Sequence, residues 1–68
     1  MLTPREEQVL ELLSKGMPYK NIADRLSLSI DTIRMNVRHI YAKLQVHSRA
    51  EATEKYLIKP KFNRALND

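Results

Sequence analysis

Residues 29–44, Ser-Ile-Asp-Thr-Ile-Arg-Met-Asn-Val-Arg-His-Ile-Tyr-Ala-Lys-Leu, contain neither glycine nor proline. They open on a serine whose hydroxyl can accept from the backbone N–H of Thr32, and Ile33, Val37, Ile40 and Leu44 recur at spacings that keep one face of a helix apolar. The pattern predicts a capped amphipathic helix. At about 100° per residue, Asp31, Met35, Arg38 and Ala42 project opposite the apolar stripe, with Arg34 and His39 on the shoulders of that face. An outer face with two arginines and few acids is suited to a polar, negative surface, and double-stranded nucleic acid is the first candidate.

The rest of the chain must supply a core for that helix from few residues. Sixty-eight residues allow one small domain. Without cysteine there is no disulfide, thiolate nucleophile or cysteine-bound zinc to staple it, so helix packing and self-association remain. The formal charge of +4 is modest, and its placement is more informative. Arg34, Arg38, Lys43 and Arg49 stand against Asp31 over residues 30–49, whereas Arg5 and Lys15 are outnumbered by Glu6, Glu7 and Glu11 at the start. No apolar run reaches the roughly 20 residues of a membrane span, and no signal-peptide order opens the chain, so a soluble, cytoplasmic protein is expected.

Three further helices are predicted around the central one. Thr3 caps the first, Pro4 takes its first position, and Glu6 can reach back to the Thr3 N–H as a capping box, with Leu2 as a staple. This helix is expected over Pro4 to Lys15, with Gly16 as its stop. Tyr19 to Leu26 reads as a short helix burying Ile22, Ala23 and Leu26, begun without a side-chain cap because Pro18 supplies none. Only Ser27 and Leu28 separate Leu26 from Ser29, the spacing of a helix-turn-helix. After Leu44, His47 or Ser48 can cap a fourth helix, with Ser48 and Glu51 in capping-box register. Thr53 and Leu57, with Ile58 beside them, form an apolar surplus that either meets a second copy or covers the first helix. Pro60 ends this helix, giving a domain at 1–59 and a short, fraying tail at 60–68.

Catalysis and metal binding find little footing. His39 and His47 lie eight apart, with no His-x3-His pair and no acid placed to orient them as ligands, and solvent or phosphate contact suits them better than a metal. Asp24 and Lys20 are placed for a helix-surface ion pair. Tyr41 sits between stripe and surface, suited equally to packing and to phosphate contact. No enzyme, cofactor, metal or small-molecule ligand is expected.

In order and spacing, Leu2-Thr3-Pro4-Arg5-Glu6, Val9-Leu10, Leu13, Gly16, Ile22-Ala23, Leu26, Ser29, Thr32-Ile33-Arg34, Val37, Ile40, Lys43-Leu44, Val46, Arg49 and Ala52 resemble the DNA-binding domain of LuxR, FixJ and NarL type (GerE-like) bacterial transcription regulators. The resemblance runs from Leu2 to about Ile58; Asn36 stands where that family usually has histidine. It implies an all-α, four-helix bundle-like domain with a helix-turn-helix, of the winged-helix-like superfamily but without a wing. It also implies sequence-specific binding of double-stranded DNA as a homodimer through the fourth helix, to regulate transcription, with RNA polymerase as a further partner. Carried over by position, Arg34, Met35 and Arg38 would face bases and Lys20, Ser29, Thr32 and Lys43 would hold phosphates; the apolar surplus at Thr53 and Leu57 would be the place for the dimer contact. The domain would be either free-standing or the effector part of a longer regulator. Two other readings are a sigma-factor region 4-like domain and a protein-interaction module that pairs with a full-length regulator through the fourth helix.

Overall fold

The computed structural model describes residues 1–57. The expected helix end at Pro60, the place of Ile58 and the boundary at 59 lie outside the described residues. Three helices, α1 (Pro4–Ser14), α2 (Tyr19–Leu26) and α3 (Ile30–Leu44), are followed by a fourth, α4 (49–57), with no strand among the described residues. Helix α3 packs against both α1 and α2. The core gathers Val9, Leu10, Leu12 and Leu13 from α1, Ile22 and Ala23 from α2, Ile33, Val37 and Ile40 from α3, and Ala52 from α4. Val46, from the segment between α3 and α4, completes it.

The helix starts follow their sequence signals closely. Thr3 Oγ1 accepts from Glu6 N at 3.1 Å while Glu6 Oε1 accepts from Thr3 N at 2.9 Å, a complete capping box. Pro18 stands before α2 with no side-chain cap, and Ser29 accepts from Thr32 N at 3.1 Å at the start of α3. At α4 the box is skewed. Ser48 Oγ accepts from Glu51 N, but Glu51 reaches the N–H of His47 at 2.7 Å rather than that of Ser48.

The ends of α1, α2 and α3 share one device. In α1, Gly16 N donates to Leu13 O and Met17 N to Leu12 O; in α2, Ser27 N donates to Asp24 O and Leu28 N to Ala23 O. In α3, Gln45 N donates to Ala42 O and Val46 N to Tyr41 O. Each is a Schellman motif, with its turning residue at positive φ: Gly16 at 81°, Ser27 at 59° and Gln45 at 58°. Met17, Leu28 and Val46, the residues next in sequence, fold onto the core. Helix α1 accordingly stops at Ser14, one residue before the expected end, with Lys15 as its cap. The turn before α3 needs no glycine because Ser27 takes the left-handed conformation.

Candidate nucleic-acid interface

On α3, Ile33, Val37 and Ile40 are buried, which fixes the rotation of the helix about its own axis. Asp31, Arg34, Met35 and Arg38 are all exposed on the outer side, Met35 at 55%. Arg34 Nη1 lies 3.6 Å from Asp31 Oδ1, one turn back on the same helix. Arg38 has no ion-pair partner among the described residues. The Ser29 and Thr32 hydroxyls lie 2.9 Å apart at the N-terminal end of this helix, where unpaired backbone N–H groups and the helix dipole favour an anion.

Lys20 is exposed in the first turn of α2. The ion pair expected between it and Asp24 is absent among the described residues. Lys43 has a different setting. Its Nζ is 2.8 Å from Oε1 of Glu6, a carboxylate only 5% exposed, which also holds the Thr3 N–H. This ammonium and that N–H keep the Glu6 carboxyl below the ordinary carboxylate range, against the opposing effect of burial. His39, which has no acid near it in sequence, is brought to 4.0 Å from the second Glu6 oxygen. The imidazole therefore has an acid beside it that chain distance hid.

Arg49 belongs to the positive excess over residues 30–49, yet the fold turns it inward. Its Nε and Nη2 donate to Leu13 O at 3.2 and 3.0 Å, and Nη2 also donates to Met17 O. The guanidinium carbon stands 5.9 Å from the centre of the Tyr19 ring. A cation thus meets the carbonyl end of α1, the negative pole of that helix, from the first turn of α4. Lys55 repeats the arrangement on a smaller scale, donating to Leu44 O at 3.1 Å at the end of α3. No periodicity signals either contact; the available hint was only that a helix closed at Gly16 leaves carbonyls needing donors.

Tyr41 is half-buried and packs against the core, and burial, together with the nearby Tyr19 phenol, raises its pKa above the ordinary value. Packing is thus the setting the fold gives it. On α4, Ala52 is fully buried, Thr53 half-buried and Leu57 54% exposed. Thr53 and Leu57 face an open concavity bordered also by Leu13, Gly16 and Ala50. No group of three metal-ligating side chains occurs among the described residues, and none of the described helices is long and apolar enough to cross a membrane.

Comparison with known proteins finds relatives in one family. The profile of the family described as "Bacterial regulatory proteins, luxR family" covers residues 1–56. The nitrate/nitrite response regulator NarL of Escherichia coli K12 is 43% identical over 51 residues, 75% of this chain and 24% of NarL. The oxygen regulatory protein NreC of Staphylococcus haemolyticus is 38% identical over 62 residues, 91% of this chain and 28% of NreC. The chain therefore spans about a quarter of the length of these relatives. Among solved structures, the DNA-binding domain of the response regulator ComA, crystallised in complex with the anti-activator RapF, superposes with a TM-score of 0.76 at 43% identity. That match covers 78% of this chain and 91% of the ComA chain.

Proposed function

This chain belongs to the LuxR family of bacterial regulatory proteins, a non-enzymatic family of DNA-binding transcription regulators, and from that premise we propose that it binds a two-fold operator as a homodimer, with α3 in the major groove. Arg34 and Arg38 offer bidentate forks to guanine O6 and N7, and Met35 offers an apolar contact to a thymine methyl. Lys20, Ser29, Thr32 and Lys43 hold phosphates and set the register without reading sequence. Lys43 can do so while paired with Glu6, because an ammonium has three donors and its side chain is still 37% exposed.

The observation that carries this reading is the fixed rotation of α3. With Ile33, Val37 and Ile40 locked in the core, Arg34, Met35 and Arg38 stand outward together, flanked by the hydroxyl pair at the helix start. One small domain covers few base pairs, so useful affinity calls for two half-sites. Thr53 and Leu57 on α4 supply the apolar contact between copies. Selection from a randomised duplex pool at moderate salt tests the whole reading: a symmetric motif is expected, and its absence with folded protein overturns it.

A second reading draws on one observation. The similar ComA domain occurs in complex with another protein, RapF. Under that reading this chain is a protein-interaction module, and no duplex would be enriched.

A further inference from the structure

We infer that Asp31 is a specificity-determining residue, its carboxylate selecting base pairs that present an exocyclic amino group, cytosine N4 or adenine N6, beside the base read by Arg34. The inference rests on α3 being the major-groove helix. At about 100° per residue, Asp31 points between the directions of Arg38 and Met35, near the middle of the outward face. Its side chain is 87% exposed, and its one charged neighbour among the described residues is Arg34, at 3.6 Å.

A carboxylate at that place opposes the approach of a polyanion. The fold does not require it there: Ser29 already serves as the cap of α3, and the Asp31 side chain lies exposed outside the buried core. An acid at the first turn does complement the helix dipole, but any acid near that end does so equally. What offsets the repulsion on DNA is a donor, and the major groove offers only two, both amino groups. Guanine O6 and N7 and thymine O4 are acceptors, and an ionised carboxylate meeting them has lone pairs on both sides and no proton between. Asp31 therefore discriminates in both senses, rewarding cytosine or adenine on the strand it faces and rejecting guanine or thymine. Its contact with Arg34 adds a second effect. It places the guanidinium and the carboxylate side by side on the same face, so that the two read adjacent positions.

The test is parallel selection from a randomised duplex pool with the wild type, Asp31→Asn and Asp31→Ala, followed by titration on the selected site and on random duplex. Position 31 is exposed, and circular dichroism checks that both variants fold. The wild type is expected to prefer cytosine or adenine over guanine or thymine at one position of each half-site by roughly ten- to hundred-fold. Asp31→Asn, which can both donate and accept, shifts that position toward adenine. Asp31→Ala flattens it while tightening on random duplex. If both variants keep the wild-type motif at every position and tighten on all duplexes by the same factor, the carboxylate only repels and the inference is overturned. If the wild type enriches no motif, the major-groove reading beneath it fails instead.

Discussion

The Lys43 ammonium stands 2.8 Å from the Glu6 carboxylate across 37 residues of chain, tying the last turn of α3 to the first turn of α1. One side chain thereby completes the cap of one helix and anchors the far end of another.

Replacing Glu6 by Gln keeps an acceptor for the Thr3 N–H and removes the charge that Lys43 needs. The expected loss is about 1–2 kcal/mol at neutral pH, measured by urea unfolding. Acid dependence gives the sharper test. Because the folded-state pKa of Glu6 lies below the unfolded value of about 4.3, its stabilisation is fully present above that value and is lost as pH falls through the folded one. Wild type should therefore weaken more steeply than Glu6→Gln below about pH 4.5. Parallel curves would remove the electrostatic role.

Arg49 is predicted to contribute to stability rather than to recognition. Arg49→Ala leaves the Leu13 and Met17 carbonyls without their charged donor, at a cost of about 2 kcal/mol, or roughly 10 °C in Tm for a domain of this size. Arg49→Lys should recover only part, since an ammonium lacks the planar fork that spans both carbonyls. A thermal melt identical to wild type, with weakened DNA binding, would reverse this assignment.

The two proposed kinds of DNA contact differ in how they fail. Arg38→Ala should lose about 1–3 kcal/mol on the selected operator and relax one base position, with little change on random duplex. Lys20→Ala should weaken all duplexes alike and lower the slope of log affinity against log salt by about 0.9. Binding titrations at several salt concentrations separate them; equal losses on operator and random DNA for both variants would show the roles to be misassigned.

Leu57, more than half exposed beside Thr53, carries the dimer proposal. Leu57→Glu should leave the helical signal and melting temperature near wild type while abolishing the two-fold complex on a full operator. Sedimentation unchanged by the substitution, with and without DNA, would rule α4 out as the contact.

Of the ends of α1, α2 and α3, two place a residue with a side chain where glycine is easiest. Ser27→Gly and Gln45→Gly remove the left-handed penalty at φ near 59°, and after the added entropy of the unfolded chain each should stabilise by about 0.5–1 kcal/mol. Denaturation midpoints that fall instead would mean that the Ser27 or Gln45 side chain holds a stabilising contact.

The features legible in the sequence were those that act over one or two turns of helix. The Thr3 and Glu6 capping box, the unsupported start after Pro18, the stop at Gly16 and the buried stripe of α3 all involve residues within a few positions of one another, and local chemistry decides them. Lys43 and Arg49 show where that ends. Both belong to the same positive excess, and the groups they meet lie more than thirty residues away, so charge counting could not separate an ammonium paired with Glu6 from a guanidinium turned onto the carbonyls of α1. The Glu6 and His39 approach was hidden for the same reason, and Lys20 shows the converse, a favourable helical spacing to Asp24 that forms no ion pair among the described residues.

The turn between α2 and α3 has three residues, and none is idle. Ser27 reverses the chain, Leu28 folds onto the core and Ser29 caps α3. No slack is left to absorb an insertion or deletion, so the pose of α3 is set by the core, while Asp31, Arg34, Met35 and Arg38 sit outside that core. On the proposed reading, these outward side chains can change what is read without disturbing the packing that holds α3 in place.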